Sequence, residues 1–261
     1  MFKLKNEGVM IQSVLRATKI LECFTGNNSE LGISEISEYM DLSKSTIYGL
    51  VNTLKATGYL EQDLKTKKYR LGIKLFELGN IVHSRIDLRA EAKAFCMELS
   101  GKYDITVHLA TFNEGDVIYI DKIVNYDMQI ASSQVGRRAP MYCTGVGKAI
   151  LAYVDVAYLN KYIFCKELKK ITKNTISTHE RLIDELQVIR SRGYAVDDEE
   201  IEIGLRCVAA PIFNNKAYPI AAVSASASYR KMNDNMIENI SKDVKMCAQK
   251  ISERMGYSIN R

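Results

Sequence analysis

The sequence has no closely spaced pair of cysteines, and its three histidines lie far apart in the chain. Six cysteines occur singly, at positions that form no C-x-x-C pair. This pattern argues against a zinc framework and against a secreted disulfide scaffold. Isolated cysteines of this kind are usually small buried apolar residues with free thiols. We therefore expect neither a bound metal ion nor a cofactor.

Long apolar runs and export signals are also missing. No stretch approaches about 18 consecutive apolar residues, which argues against a membrane span. The N-terminal segment MFKLKNEGVMIQSVL has polar residues through its middle, which argues against a signal peptide. We expect a cytoplasmic protein without a membrane partner. The 261 residues, of which 47% are hydrophobic and 26% charged, suffice for two globular domains.

Sequence motifs of nucleotide-binding enzymes and hydrolases are incomplete. The element GVGK at 145–148 precedes a predicted helix, but Tyr142 and Ala149 replace a glycine and a hydroxyl residue that a phosphate-binding loop needs. Ile150 stands where a dinucleotide-binding turn has its third glycine. The chain also lacks a G-x-S-x-G elbow. We therefore predict that the protein is not an enzyme.

Three other patterns have both a functional and a purely structural interpretation. The glycines at 145–148 would present backbone N–H groups to a small anion such as a carboxylate, or would allow close packing of a helix on a sheet. The four acids at 197–200 could belong to a binding site or simply form a solvated loop. Cys207 could belong to the same site or simply be a buried residue of a core strand. Ser224 and Ser226 alternate with apolar residues, so on a strand both hydroxyls point to one face and need partners.

The N-terminal part is organised around residues 32–58, GISEISEYMDLSKSTIYGLVNTLKATG. A short apolar stripe is followed by a second one from Ile47 to Leu54, with the spacing of a helix that buries one face. Ser43 stands at the N-cap position of this helix and Gly58 at the C-cap position. The pattern predicts a helix-turn-helix with its recognition helix, although an ordinary pair of packed helices remains the alternative.

A basic hairpin follows this helix and completes a winged helix. Residues 43–74 contain seven Lys or Arg against two acids, a local balance of +5. Small hydroxyl residues at the helix start allow close approach to phosphates and base edges. We predict that double-stranded DNA is contacted by Ser43, Lys44, Ser45, Thr46, Tyr48, Asn52, Lys65, Lys67, Lys68 and Arg70.

The remaining sequence predicts an α+β domain with an antiparallel sheet. Residues 73–86 read as a linker helix, and a second helix reaches Leu99 and ends at Gly101. A hairpin begins at Ile105, a third strand lies near 128–133, and a capping box of Ser177 and Glu180 opens another helix. Two more strands and a last helix follow. The predicted boundaries are 1–72, 73–86 and 87–261.

Four segments together resemble the IclR-type bacterial transcriptional regulators, over nearly the whole chain. They are IQSVLRATKILECF, SKSTIYGLVNTLKATGYL, GRRAPMYCTGVGKAILA and RSRGYAVDDEEIEIGLRCVAAPIF. The resemblance implies an N-terminal winged helix, a linker helix and a C-terminal effector-binding domain similar to the GAF fold. It also implies assembly as a homodimer or homotetramer, and control by small organic acids or aromatic metabolites.

The resemblance further implies a set of effector-binding residues. The polar contacts would come from Gly145, Val146, Asp197, Cys207, Ser224 and Ser226, and the apolar wall from Met128, Ala131, Ala139 and Leu205. The expected function is that of a sequence-specific DNA-binding transcriptional regulator controlled by a small-molecule effector. The alternative is a metabolite-processing enzyme or sensor whose winged helix serves protein–protein contact.

Overall fold

The computed structural model describes residues 10–24, 28–84, 87–124 and 134–258. The chain divides into two compact units, one ending at residue 86 and the other beginning at residue 87. Among the helices within the described ranges, none is long and apolar enough to cross a membrane. The strand predicted near 128–133 lies outside the described residues.

The first unit contains the predicted winged helix-turn-helix. Its core includes Ile20, Ile36 and Ile47, one from each of the first three helices, all fully buried. The two strands pair in antiparallel fashion, which confirms the predicted wing. The elements are α1 (Gln12–Glu22), α2 (Ile33–Met40), α3 (Lys44–Ala56), β1 (Leu60–Gln62), β2 (Tyr69–Leu71) and α4 (Ile73–Ser84).

Helix α3 begins and ends where its capping residues predict. Ser43 has extended backbone angles, and its hydroxyl accepts a hydrogen bond from the N–H of Thr46 at 3.4 Å. At the other end Gly58 has φ of +79°, a left-handed conformation that costs glycine little because it has no Cβ. Between them Ile47 and Val51 are fully buried, so one face of the helix packs on the core.

The second unit is built on a six-stranded antiparallel sheet with the order β5-β4-β3-β8-β7-β6. The predicted antiparallel α+β architecture is thereby confirmed. The strands β7 and β8 are buried along almost their whole length, since helices cover both faces of the sheet. The strands are β3 (Thr106–Asn113), β4 (Asp116–Ile123), β5 (Arg138–Pro140), β6 (Ala195–Asp198), β7 (Leu205–Phe213) and β8 (Pro219–Ser228).

Helices pack on this sheet in two groups. The helix that begins with the GVGK glycines packs on β7 and β8, where Ile150 joins Ala209 and Ala222 in a buried apolar cluster. The first and last helices of the unit pack against each other and against the opposite face. The helices are α5 (Asp87–Tyr103), α6 (Gly145–Leu151), α7 (Val156–Tyr162), α8 (His179–Arg192) and α9 (Asp234–Arg254).

Two predicted helix termini are wrong. Helix α8 is capped by Thr178, whose hydroxyl accepts the N–H of Arg181 at 3.3 Å, so Ser177 and Glu180 do not form a capping box. The spacing of the buried residues of α8 determines which face is apolar, but it does not determine where the helix begins. The neighbouring hydroxyl residue Thr178 caps the helix instead of Ser177. Helix α5 continues through Gly101, because a single glycine costs a helix only about 1 kcal/mol when the helix is held by packing.

Candidate functional site

Three hydroxyl groups lie together at the N-terminal end of α3. The Oγ atom of Ser43 is 3.0 Å from Ser45 Oγ and 2.9 Å from Thr46 Oγ1. Lys44 and Tyr48 are exposed on the same helix, and Asn52 is half-buried one turn further along. The helix therefore presents short polar groups and one cation at its start, where phosphates and base edges would approach.

The tip of the wing is held by Asp63. Its Oδ1 atom accepts the backbone N–H of Thr66 at 2.7 Å and of Lys65 at 2.8 Å, and these hydrogen bonds lower the pKa of the carboxyl group. Lys67 completes the turn with a φ of 59°. Lys65 and Lys67 are exposed, and neither forms an ion pair within the described part of the chain.

The other two predicted wing cations are paired inside the domain. Lys68 Nζ lies 3.2 Å from Glu35 Oε1, and Arg70 Nη2 lies 3.1 Å from Glu61 Oε2. Exposed pairs of this kind contribute little and open readily, but each acid offsets the charge that a phosphate would meet. The full positive charge of the wing tip is therefore concentrated at Lys65 and Lys67.

A buried cavity of about 40 Å³ lies between the start of α6 and the sheet. Eight of the ten predicted effector residues line it, so the structure brings together residues that are up to 87 positions apart in sequence. These eight are Ala139, Gly145, Val146, Asp197, Leu205, Cys207, Ser224 and Ser226. Met128 and Ala131 lie outside the described residues.

Strand register places the polar side chains of this cavity side by side. Cys207 pairs with Asp197 on β6 and with Ser226 on β8. Ser224 pairs with His108 on β3. Directly paired residues of antiparallel strands project to the same face, so these five side chains share the face that α6 covers.

The start of α6 contributes two backbone donors to the cavity. The N-cap residue Thr144 accepts the N–H of Gly147 at its Oγ1 atom, 3.2 Å away, and the N–H of Lys148 at its carbonyl, 2.9 Å away. The N–H groups of Gly145 and Val146 have no hydrogen-bond partner in the described ranges. Two adjacent unpaired donors in a buried cavity suit an anionic oxygen pair such as a carboxylate.

The two serines differ in what they offer a ligand. Ser226 donates to Cys207 Sγ at 3.0 Å and lies 3.3 Å from His108 Nδ1, so its hydroxyl is already engaged. Ser224 is 3% exposed, and its hydroxyl forms no hydrogen bond to the part of the chain that is described. The difference follows from register, because Ser224 stands opposite Ala209 on β7 whereas Ser226 stands opposite the thiol.

Burial sets the charge state of the cavity. Desolvation raises the pKa of Asp197 to about 7, although the nearby Lys148 acts in the opposite direction. Desolvation also lowers the pKa of His108 to about 3 and raises that of the Cys207 thiol. At neutral pH the histidine and the thiol are therefore uncharged, and Asp197 is the group whose charge changes.

Four lining residues were not predicted from the sequence: His108, Tyr119, Thr144 and Ile201. Two of them have a recognisable signal. Thr144 is the hydroxyl residue that directly precedes the GVGK helix, as an N-cap would. His108 follows Thr106 by two positions on a strand, which puts both on one face. Tyr119, whose ring centroid is 5.3 Å from that of His108, and Ile201 have no such signal.

Comparison with protein families gives two matches that together cover most of the chain. Residues 13–64 match the IclR helix-turn-helix domain, and residues 81–253 match the C-terminal domain of the bacterial transcriptional regulator IclR. The two matched domains follow each other along the chain in the same order as the two compact units of the structure.

Known proteins with similar sequences and structures agree with these matches. The HTH-type transcriptional regulator XynR of Escherichia coli is 38% identical over 248 residues, which are 95% of this chain and 98% of that protein. The crystal structure of Thermotoga maritima IclR is 36% identical with a TM-score of 0.76, covering 94% of this chain and 99% of that one. An IclR homologue of Microbacterium hydrocarbonoxydans, complexed with 4-hydroxybenzoate, shares the fold at a TM-score of 0.83 and 22% identity, with 94% and 99% coverage.

Proposed function

Because the chain belongs to the IclR family of bacterial transcriptional regulators, we propose that it binds operator DNA through α3 and the wing, and a small carboxylic acid in the cavity beside α6. The proposed binding of a carboxylic acid rests on one observation: two unpaired N–H groups and one unpaired hydroxyl belong to residues that line the same buried cavity. The protein acts in the cytoplasm, where operator DNA is found.

At the DNA, the hydroxyl groups of Ser43, Ser45 and Thr46 and the side chain of Lys44 approach the phosphates at the edge of the major groove. Tyr48 and Asn52 lie further along the helix and reach toward base edges. Lys65 and Lys67 neutralise phosphates from the wing, with smaller contributions from Lys68 and Arg70. Such contacts make the affinity depend steeply on salt.

In the effector pocket, the carboxylate oxygens accept the N–H groups of Gly145 and Val146 and the hydroxyl of Ser224. Ala139 and Leu205 line the apolar side. A cavity of about 40 Å³ admits a carboxylate group but not the remainder of a metabolite. Binding of a larger acid therefore requires the pocket walls to move. Such a ligand binds an opened state of the domain more tightly than the closed state, and so shifts the protein toward the opened state.

The pocket binds its ligand without converting it. Nucleophilic attack by Cys207 needs a thiolate, and burial raises the pKa of this thiol. General acid catalysis by His108 needs an imidazolium, and burial lowers the pKa of this ring to about 3. Mass spectrometry of the effector after prolonged incubation with the protein is expected to show no product. Any turnover would favour the enzymatic alternative.

The regulator acts as a homodimer or homotetramer. One winged helix reads only a few base pairs, whereas a twofold pair reads two half-sites of a pseudo-palindrome. Helix α4 supports this assembly, because Ile73 is 63% and Phe76 65% exposed in the single chain. A second subunit would cover such apolar side chains. Light scattering at micromolar concentration is expected to give a multiple of the 29.5 kDa subunit mass.

Replacement of Ser224 by Ala tests the effector pocket. The hydroxyl has no partner in the described part of the protein, so its loss leaves stability nearly unchanged. A bound carboxylate would lose one donor, at a cost of about 1 to 3 kcal/mol or roughly a five- to 150-fold loss of affinity. Calorimetric titration with an acid identified by thermal-shift screening measures the change.

The matched control is Ser226→Ala, in the same strand and on the same face. This variant breaks the contacts with Cys207 and His108, so it is expected to lose stability and to keep most of its effector affinity. Operator affinity without effector should stay normal in both variants. Equal effector affinity of wild type and Ser224→Ala would show that this hydroxyl does not contact the ligand.

A further inference from the structure

Two cysteines meet between the first and last helices of the second unit. Cys96 is on α5 and Cys247 is on α9, and both side chains are buried. The thiol of Cys96 forms a hydrogen bond with that of Cys247, and this bond together with burial raises the pKa of Cys96. Cys96 therefore stays protonated and donates to the sulfur of Cys247. The two sulfur atoms are in contact although the residues are far apart in the sequence.

The packing of α5 on α9 holds this contact in place. At one end Lys102 Nζ lies 2.6 Å from Asp243 Oδ2. At the other end Arg254 Nε lies 4.0 Å from Glu91 Oε2. Each cysteine lies between these two ion pairs along its own helix, and the order of the pairs shows that the helices run antiparallel. The thiols are therefore brought together by the interface of two long helices and not by a chance approach of two loops.

Cys247 is the sulfur that a small molecule reaches first. It lines a groove of about 150 Å³ between α5 and α9, whereas Cys96 does not. Cys247 is 5% exposed and Cys96 1%. A groove of this volume admits a molecule little larger than water. Hydrogen peroxide is such a molecule, so it can reach one thiol of the pair while the second thiol waits beside it.

From this arrangement we propose that Cys96 and Cys247 are a reversible redox modification site, at which a peroxide converts the two thiols into one disulfide between α5 and α9. The proposal is independent of the effector pocket, because neither cysteine lines that cavity. In a reducing compartment the pair remains as thiols, and disulfides that form there are usually transient and redox-sensing.

The reaction proceeds in two steps. Cys247 loses its proton, and its thiolate attacks one oxygen of the peroxide. The O–O bond breaks, and the released hydroxide takes up that proton as water, which leaves a sulfenic acid on Cys247. The sulfur of Cys96 then attacks the sulfur of Cys247, the S–O bond breaks, and the hydroxide leaves with the proton of Cys96 as water. Two electrons pass from the sulfurs to the peroxide, and hydrogen peroxide becomes two molecules of water.

Peptide mapping of the full chain tests the proposal. The protein is treated with hydrogen peroxide, its remaining thiols are blocked, and it is digested with trypsin without reduction. Cys96 then lies in the peptide AFCMELSGK and Cys247 in MCAQK. We expect mass spectrometry to find these two peptides joined by a disulfide, and dithiothreitol to separate them. The exposed Cys165 reports the strength of the treatment, and the buried Cys143 should stay unmodified.

Two variants assign the order of the steps. Cys96→Ser removes the second thiol, so oxidation should stop at the sulfenic acid of Cys247, which dimedone traps. Cys247→Ser removes the first thiol, so Cys96 should remain unmodified at the same peroxide concentration. Both substitutions keep a small side chain at the helix interface.

Two results would overturn the redox site. One is the absence of the linked peptides from folded wild-type protein at a peroxide concentration that oxidises Cys165. The other is a linkage that forms only after unfolding in urea. Either result would show that the two thiols serve only to fill the space between the helices. The wild-type measurement decides the question even where a variant fails to fold.

Discussion

Replacement of Asp197 by Asn is expected to remove a pH dependence from effector binding. Asp197 is 1% exposed, and burial raises the pKa of its carboxyl group to about 7. A Cβ built on Gly145 would lie only 3.6 Å from the Cβ of Asp197. A ligand carboxylate held by the Gly145 N–H would therefore lie directly against this side chain, and binding should take up a proton.

The size of the effect follows from two energies. Two unit charges about 4 Å apart repel by about 4 kcal/mol at an effective dielectric constant of about 20. Protonating Asp197 one pH unit above its pKa costs only about 1.4 kcal/mol. Protonation is therefore the cheaper route up to about pH 10, and wild-type affinity should fall about tenfold per pH unit above about pH 7. The Asn side chain keeps an oxygen for the N–H of Glu200, so the variant should bind with nearly constant affinity.

Calorimetric titrations in buffers of different ionisation enthalpy measure both the affinity and the number of protons taken up. We expect uptake to approach one proton per subunit at about pH 8 in the wild type. It should be close to zero at about pH 6, where Asp197 is already protonated, and at both pH values in Asp197→Asn. A wild-type affinity that stays constant from about pH 6 to about pH 9 would refute the placement of the carboxylate beside Asp197.

Three further predictions concern the wing, the glycines and stability. Lys67→Ala should lower the salt slope of operator binding by about one per subunit, and the paired Lys68 should contribute less, as anisotropy titrations of both Ala variants would reveal. Gly147→Ala should lower the melting temperature far more than Gly145→Ala, since an added Cβ would lie 2.3 Å from a backbone oxygen at Gly147 but no closer than 3.4 Å to any atom at Gly145. The raised pKa of Asp197 means that the folded state holds the extra proton, so stability to urea should fall between about pH 4 and about pH 7 and less so in Asp197→Asn.

The winged helix was predictable because its signals are local. Ser43, Gly58 and the apolar stripe between them lie within one helix length, and each rests on a short-range rule of capping or periodicity. The ion pair of Lys68 with Glu35 joins residues 33 positions apart and has no local signal. The sequence therefore predicts a basic wing, but the distribution of free charge along it depends on tertiary packing.

The cavity beside α6 was predictable only in part, for the same reason. The alternation of Ser224 and Ser226 is local and places both hydroxyls on one face. Their difference is not local, because it depends on whether β7 sets Ala209 or Cys207 opposite each serine. Antiparallel register is fixed by the whole sheet, so the sequence alone does not tell which of the two serines keeps an unpaired hydroxyl.

The two glycines of the GVGK element have different structural surroundings, one set by close packing and one by the cavity. An added Cβ at Gly147 would lie 2.3 Å from Met141 O, so this glycine is required for the close approach of α6 to the preceding turn. Gly145 has room for a Cβ, lines the cavity, and has an N–H group without a hydrogen-bond partner in the described ranges. Packing at Gly147 thus holds the donors of Gly145 and Val146 in place. In a phosphate-binding loop the lysine would reach the anion. Here Lys148 instead turns to Val196 O and Glu200, which leaves the cavity with neutral donors that suit a carboxylate.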